Sequence, residues 1–318
     1  VGSDQYVLIM NMHHIVSDGW SLSLLQRELI ALYDAFAANK PSPLAPLGVQ
    51  YADFALWQRQ WLDDAVLQRH LGYWEQKLSN APPLLTLPTD RARPLVQTFN
   101  GARHEFVLPS TLLTKVKTFS VAQNTTSYAT LLTAFKLMLA QHAHMNDICI
   151  GTPVAGRENA QIRDLIGYFV NTVVIRTQLE GNPTVVELIE RVKDSTLGAF
   201  ANQDVPIERV LDALQLERNF SYPPVAQVGF SFINDQMAHI TQKLGDINIE
   251  PLQFETVIAK YDLTLILIEN TDVINATVEY NTDLFDASTI AHMMRHFVHL
   301  LEQCLEHSNW NINNLSML

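Results

Sequence analysis

An uncharged run near the start of the chain, Tyr6–Met12, leads directly into the octapeptide HHIVSDGW at residues 13–20. Seven residues without a charge predict a strand that is covered on both faces, with the octapeptide at its carboxyl end. Apolar side chains then recur at helical spacing and predict a helix with one buried face, which carries Leu25, Leu29, Leu32 and Phe36. In α/β folds, functional sites often lie where a strand ends and a helix begins. The octapeptide is therefore the predicted active site.

The octapeptide contains residue types that are suited to proton transfer. Successive side chains of a strand point to opposite faces, so only one of His13 and His14 is expected to face a given cavity. Histidine exchanges protons near neutral pH, and Asp18 can brace the loop or pair with a cation. Gly19 is expected to permit a tight turn, and either Asp18 or Ser21 can cap the helix. From the spacing alone a packing role for both histidines stays open, whereas a metal site is disfavoured because no third ligand cluster follows.

Composition limits the classes of function. With 318 residues, 47% hydrophobic and 17% charged, the chain is predicted to be globular with two lobes. Acidic residues outnumber basic ones by 33 to 21, and the net charge of -12 argues against nucleic-acid binding. No apolar run approaches the roughly 20 residues of a membrane helix and no signal peptide is recognised, so a cytoplasmic protein without membrane attachment is expected. Cys149 and Cys304 are expected to be buried thiols, neither disulfide-bonded nor nucleophilic.

The rest of the chain alternates between helical and strand-like patterns. A proline-rich stretch at 82–94 is the best candidate boundary, which gives part of a first lobe in 1–80, a linker in 81–101 and a second lobe in 102–318. Strands are predicted at Glu105–Leu108, Asp147–Val154, Phe169–Thr177, Leu263–Ile268 and Ile274–Tyr280. Helices are predicted from Val49 to Leu62 and on towards Leu78, after Ser110, and at Tyr128–His144, Val185–Phe200, Pro206–Leu214 and near the end of the chain.

The last predicted helix carries three histidines that resemble a metal site. His292, His296 and His299 are spaced by four and three residues, so they share one helical face. The apolar residues of this helix define a different, inward face, and the glutamate of a metalloprotease motif is missing. We therefore expect a solvated face and no metal. The sequence also lacks a phosphate-binding P-loop and a nucleophile-elbow serine.

The octapeptide resembles the HHxxxDG signature of the condensation domains of nonribosomal peptide synthetases, in the wider acyltransferase family that includes chloramphenicol acetyltransferase. Further matching motifs follow in the family's order. They are YADFALWQR at 51–59, YW at 73–74, LPTDR at 87–91, IGTPVAGR at 150–157, IGYFVNT at 166–172, QDVP at 203–206 and YDLT at 261–264. Several motifs in one order are more specific than HHxxxDG alone, and the resemblance extends over nearly the whole chain.

The resemblance implies a fold of the α/β class, a two-layer α+β arrangement with lobes like those of chloramphenicol acetyltransferase. Family members carry a further segment with an Arg-His-Glu motif before HHxxxDG. The N-terminal lobe is therefore expected to be incomplete in this chain, and strands that cover Tyr6–Met12 are expected from residues before Val1. Without them, we expect the first 78 residues to be protease-sensitive.

The resemblance also implies a reaction. The α-amine of an acceptor aminoacyl thioester attacks a donor acyl or peptidyl thioester, both carried on the phosphopantetheine arms of carrier proteins, and a peptide bond forms. His14 is the implied catalytic residue, and Asp18 is implied to pair with Arg157 or with an arginine of the preceding segment. The implied residues of the loop and its support are His13, Asp18, Gly19, Trp20 and Arg157. No cofactor is expected to bind the domain itself; the expected partners are upstream donor and downstream acceptor carrier proteins, an adenylation domain and the missing N-terminal segment.

Two departures from the family pattern leave alternatives open. Asn202 stands where the QDVP motif usually starts with histidine, and Ala226 stands where an aromatic residue usually precedes Gln-Val. Such changes are expected to alter a tunnel wall without touching His14. The alternatives are an inactive condensation-like domain that recruits carrier proteins or tailoring enzymes, an epimerisation-type member, and a free-standing acyltransferase that uses coenzyme A.

Overall fold

The computed structural model describes residues 5–216, 219–234, 243–245, 247–250, 252 and 257–317. These residues form two compact units. The first unit comprises the described residues of Val1–Asp63, Ala155–Val170 and Met237–Leu252, and the second unit those of Asp64–Val154, Asn171–Gln236 and Gln253–Leu318. The predicted ranges 1–80, 81–101 and 102–318 differ from these units, because residues 64–80 pack within the second unit and residues 155–170 within the first. Their assignment to two lobes of the family stays a prediction.

The described elements are a mixture of helices and strands, in agreement with the predicted α/β class. The helices are α1 (Gly19–Ala37), α2 (Tyr51–Trp61), α3 (Asp64–Leu78), α4 (Ser110–Ala122), α5 (Ser127–Ala143), α6 (Val185–Ala201), α7 (Ile207–Leu214) and α8 (Ala287–Glu306). The strands are β1 (Asn100–Leu108), β2 (Asp147–Val154), β3 (Asn171–Gln178), β4 (Val228–Asn234), β5 (Lys243–Leu244), β6 (Ile247–Asn248), β7 (Val257–Ile258), β8 (Leu263–Glu269) and β9 (Ile274–Asn281). In the described part of the chain, no helix combines the length and apolarity that crossing a membrane requires.

The second unit is built on a seven-stranded mixed sheet with the strand order β3-β2-β4-β8-β9-β1-β7. The pairs β2/β4 and β4/β8 are parallel, and the other neighbours are antiparallel. Helix α5 packs against β2, α6 and α8, so its apolar residues are buried around nearly its whole circumference. Strands β8 and β9 alternate between buried and less buried side chains over most of their length, as expected for strands with one covered face.

The elements predicted for this unit are confirmed, although several boundaries move. Strand β1 starts at Asn100, five residues before the predicted Glu105, and antiparallel pairing with β9 covers almost all of it. The helix predicted from Val49 towards Leu78 is interrupted at residues 62–63, so α2 belongs to the first unit and α3 to the second.

Two sequence predictions for the first unit are wrong. Residues 6–12 form no strand, and their apolar side chains are exposed, with Tyr6 at 85% and Ile9 at 72%. No described strand pairs with this run, so its backbone has no ladder to join. Helix α1 forms as predicted, but its buried side chains are Ser21, Leu24 and Ile30, on a different face from the one predicted.

Asn202, one of the two departures from the family pattern, joins helices α6 and α3 of the second unit. It caps the end of α6, and its Oδ1 lies 2.8 Å from Nδ1 of His70. Its backbone carbonyl accepts a hydrogen bond from Nε1 of Trp74 at 3.0 Å. The residue therefore has a structural role in helix packing, and its predicted effect on a tunnel wall stays a prediction.

The LPTDR motif and the arginine that follows it fasten helix α8 to the sheet within the second unit. Asp90 accepts hydrogen bonds from the backbone N–H of Asp286 at 2.7 Å and from the hydroxyl of Thr289 at 2.9 Å, which caps α8. Arg93 makes a two-pronged ion pair with the buried carboxylate of Asp262, directly before β8. One short segment thus fixes the starts of a strand and a helix.

We predict that Arg93→Ala lowers the free energy of unfolding by about 3 to 5 kcal/mol, because the Asp262 carboxylate stays buried without its partner. The matched control is Arg103→Ala, which removes an exposed pair with Glu279 and is expected to cost about 0 to 1 kcal/mol. Urea unfolding of the two variants measures the difference. Equal losses in both would contradict the prediction.

A lysine lies in the core of the second unit. Lys136 is fully buried, and its Nζ donates hydrogen bonds to the carbonyls of Ile148 at 3.2 Å and Ile175 at 2.6 Å and to the hydroxyl of Thr177 at 2.9 Å. Burial lowers the pKa of Lys136 from 10.5 to about 7. The lysine ties α5 to strands β2 and β3, at the cost of burying an ionisable group.

We predict that this lysine makes stability depend on pH. Because its folded pKa of about 7 lies below the unfolded value of 10.5, the unfolded chain holds more protons between these values, and stability rises with pH there. Lys136→Met has no group to titrate here and should therefore lose this part of the rise. Urea midpoints at about pH 7 and about pH 9 test this, with the exposed Lys40→Met as control. An undiminished rise in Lys136→Met would refute the assignment.

Candidate active site

The two histidines of the octapeptide lie at a short 3-10 turn, His14–Val16, in the first unit. Nδ1 of His13 accepts the backbone N–H of Ile15 at 3.0 Å, so the neutral His13 ring carries its proton on Nε2. Nδ1 of His14 lies 2.7 Å from the carbonyl oxygen of Ser17. Since a carbonyl only accepts, Nδ1 of His14 must donate, which leaves Nε2 as the proton acceptor of the neutral ring. The two rings therefore differ in tautomer, and His13 caps the turn.

Asp18 caps helix α1 and collects further donors at its buried carboxylate, where the residue is only 3% exposed. Oδ1 accepts the N–H of Ser21 at 2.8 Å, and Oδ2 accepts the N–H of Phe169 at 3.0 Å. Arg157 is 3.2 Å away from Oδ1 through Nη2, so the ion pair predicted from the sequence is present. Burial alone would raise the pKa of Asp18, but these hydrogen bonds and the nearby cation outweigh it and hold the pKa below its ordinary 3.8.

Arg157 is equally buried and is bonded on several sides. Its Nη1 donates to the carbonyls of Ile162 at 3.0 Å and Leu165 at 2.7 Å, and its Nη2 donates to Oγ of Ser21 at 2.8 Å. The guanidinium carbon lies 4.1 Å from the ring centre of Phe169. Burial lowers the pKa of Arg157, whereas Asp18 opposes this shift. The contacts of Arg157 with Ile162, Leu165 and Phe169 thus hold residues 157–169 around its guanidinium group, and its bond to Ser21 holds them against the start of α1.

Three successive residues, Gly167 to Phe169, are fastened to the octapeptide and to helices α1 and α2. Oγ of Ser21 donates to the carbonyl of Gly167 at 2.8 Å and accepts its N–H at 3.0 Å. The hydroxyl of Tyr51 donates to the carbonyl of Tyr168 at 2.8 Å. A Cβ at position 167 would overlap the ring of Tyr51, so this position requires glycine. From the sequence, Ser21 is predicted only as a possible helix cap, and Tyr51 and Tyr168 occur only within the motifs at 51–59 and 166–172.

The other predicted support residues have different outcomes. Gly19 is the first residue of α1, with no positive φ, and a Cβ at this position would have no atom within 4 Å, so the expected glycine-dependent tight turn is not formed. Trp20 donates from Nε1 to the carbonyl of Arg163 at 2.9 Å. Its ring centre lies 5.9 Å from the guanidinium carbon of Arg157. The functional roles of both residues stay predictions.

The histidines of α8 lie in the second unit and do not converge on a metal site. Within the described residues, no three metal-ligating side chains come together. His292 and His299 are exposed as predicted, but His296 is partly covered by His142, whose Nε2 lies 3.1 Å from its Nδ1. Burial and the neighbouring histidines lower the pKa of His142 to about 4. The pair joins α5 to α8 as neutral rings.

Comparison with known families agrees with this geometry, since residues 1–318 match the condensation domain. The chain belongs to the condensation domain family. One of the polypeptides of linear gramicidin synthase from Brevibacillus parabrevis is 44% identical over 319 residues, which cover 100% of this chain and 4% of that protein. The chain therefore spans only a small part of the length of this relative.

Two solved structures confirm the fold class of this condensation domain. The X-domain from teicoplanin biosynthesis is similar with a TM-score of 0.87 and 28% identity, over 96% of this chain and 70% of that one. The same X-domain in complex with OxyB is similar with a TM-score of 0.83 and 27% identity, over 96% of this chain and 68% of that one.

We predict that Asp18→Asn lowers the free energy of unfolding by about 3 to 5 kcal/mol, because Arg157 stays buried without a counter-charge. Since the folded pKa of Asp18 is depressed, its contribution is present above the ordinary value of 3.8 and is lost as pH falls through the folded pKa. The difference between wild type and variant should therefore shrink in acid.

Thermal and urea unfolding of the intact domain measure this effect. The matched control is Asp164→Asn, which removes an exposed pair with Arg27 in the same unit and should change stability by less than about 1 kcal/mol. If Asp18→Asn slowed the reaction with an unchanged melting curve, its carboxylate would act in the chemistry and would not be a brace.

Proposed function

We propose that this condensation domain forms a peptide bond between a donor acyl or peptidyl thioester and the α-amine of an acceptor aminoacyl thioester. The observation that supports this most directly is the state of His14. Its Nδ1 is occupied by the carbonyl of Ser17, which presents Nε2 as a proton acceptor, and its ring is exposed. The buried pair of Asp18 and Arg157 holds the loop that carries it.

In the proposed reaction, the amine nitrogen attacks the thioester carbonyl, the new C–N bond forms and the C–S bond breaks. An α-amine with a pKa near 8 is about one-tenth neutral at pH 7, so a nucleophile is present without a strong base. The attack makes the nitrogen positively charged and places negative charge on the carbonyl oxygen. Nε2 of His14 takes the proton from nitrogen, while the departing sulfur leaves as a thiolate that is then protonated. Positioning of the amine contributes as much as proton transfer.

The proposal assigns both substrates to the phosphopantetheine arms of an upstream donor and a downstream acceptor carrier protein, next to an adenylation domain. The arms belong to the partners, and the domain itself is proposed to bind no cofactor. We place the reaction in the cytoplasm. Two buried thiols are in keeping with such a reducing compartment, because burial raises the pKa of Cys149 to about 11 and that of Cys304 to about 12, which keeps both thiols protonated.

We predict that His14→Ala, in the intact synthetase with both loaded carrier proteins, slows single-turnover condensation by roughly a hundredfold to ten-thousandfold. The melting temperature should be nearly unchanged, because the His14 side chain is exposed. Product formation is followed by mass spectrometry of the acceptor carrier.

The matched control is His292→Ala, an exposed histidine of α8 in the second unit, which should keep the wild-type rate. His13→Ala should lose the cap of the 3-10 turn and be slowed less than His14→Ala. A wild-type single-turnover rate in His14→Ala would reject His14 as the catalytic residue.

A second candidate function is recruitment of another enzyme without catalysis. It is favoured by the similarity to the X-domain that has been solved in complex with OxyB. The two candidates differ in one measurement, since a recruiting domain binds carrier protein or enzyme but forms no product from loaded carriers. An epimerisation-type member would instead exchange the α-proton of the carrier-bound aminoacyl or peptidyl group for deuterium in the absence of a donor.

A further inference from the structure

The ring of His14 has a second contact, which the proposed reaction has not used. The ring of Tyr168 meets it edge-on, with 5.2 Å between the ring centres and an interplanar angle of 86°. Edge-on aromatic pairs at this separation are attractive and directional. The hydrogen bond from Nδ1 of His14 to Ser17 restrains one edge of the imidazole, and Tyr168 restrains the ring from another direction.

The backbone of Tyr168 is held firmly in place. The preceding residue, Gly167, is bound in both directions by the hydroxyl of Ser21. The carbonyl of Tyr168 accepts the Tyr51 hydroxyl, and the N–H of the next residue, Phe169, bonds to the carboxylate of Asp18. Four hydrogen bonds over three residues therefore fix the position from which the Tyr168 ring meets His14.

Burial distinguishes this contact from ordinary core packing. Tyr168 is 40% exposed, whereas its neighbour Phe169 lies in a buried cluster with Ile162 and Leu165. A side chain this exposed contributes little to the core, yet its own carbonyl and the backbone of both flanking residues are held by hydrogen bonds. The bonds therefore serve the position of the exposed ring more than burial of the side chain.

We propose that Tyr168 is a positioning residue that sets the orientation of the His14 imidazole. The proposal rests on the role of His14 under the proposed function. The hydrogen bond at Nδ1 still lets the His14 ring swing about that bond, and the neighbouring ring of Tyr168 limits this swing. Small errors in placing a reacting group reduce rates strongly, so loss of the ring should lower kcat and leave the KM for the acceptor carrier unchanged.

The test compares Tyr168→Ala and Tyr168→Phe in the intact synthetase. Tyr168→Ala should lower kcat about tenfold, in line with the strength of an edge-on pair, and Tyr168→Phe should keep nearly the wild-type rate because the ring remains. The matched control is Tyr33→Ala, a tyrosine of α1 in the same unit that is 38% exposed. It should match Tyr168→Ala in melting temperature and match wild type in rate.

A double mutant decides whether Tyr168 acts through His14. If it does, the variant with both His14→Ala and Tyr168→Ala should be no slower than His14→Ala alone. A further tenfold loss would overturn the proposal, because Tyr168 would then act independently of His14. A rate in Tyr168→Phe as low as in Tyr168→Ala would also overturn it, since the ring would not be the cause.

The same variants separate the failure of this inference from the failure of the proposed function. If His14→Ala abolishes condensation while Tyr168→Ala equals the Tyr33→Ala control, the positioning role is wrong and the role of His14 stands. If His14→Ala keeps the wild-type rate, the catalytic role of His14 and the positioning role of Tyr168 both fail.

Discussion

The buried carboxylate of Asp18 is the interaction on which the rest of the first unit depends. A carboxylate that is withdrawn from water is stable only when its charge is matched and its oxygens accept hydrogen bonds. Here Arg157 matches the charge, and the N–H groups of Ser21 and Phe169 fill the oxygens. These partners come from helix α1 and from a segment almost 140 residues later in the chain. The hydrogen bonds and the ion pair of Asp18 therefore connect the loop, helix α1 and the later segment to one another.

In the first unit, the buried charged groups around Asp18 support a proposed reactive centre that consists of one histidine, His14. The histidine proposed to do the chemistry, His14, is exposed, and its Nδ1 donates to the carbonyl of Ser17, whereas Asp18 and Arg157 are buried and each has several hydrogen bonds. Asp18 and Arg157 thus hold the structure of the loop, and the accessible His14 is left for the reaction. This division suits the proposed reaction, in which a nucleophile must be aligned with a carbonyl carbon.

The sequence predicted the features that depend on local pattern and on motifs. It did not predict the features that depend on residues distant in the chain. Helical spacing located α1 and α5–α8, and the motif order led to the pair of Asp18 and Arg157. The sequence predicts that the run at 6–12 is a strand covered by strands from residues before Val1. Within this chain the run forms no strand and is exposed, and the covering strands stay a prediction, because cover is a property of the neighbours and not of the run itself. The contact of Tyr168 with His14 left no local signal, since 154 residues separate the two rings and neither position has a periodicity that indicates the other.

Gly167 limits how the sequence of this domain can be changed. A Cβ there would displace the ring of Tyr51, whose hydroxyl holds the carbonyl of Tyr168. A substitution at position 167 would therefore disturb the placement of His14 through Tyr51 and Tyr168, without contacting His14 itself. Libraries that vary this domain by directed evolution should leave position 167 unchanged, because variants there would lose the placement of Tyr168 whatever else they changed.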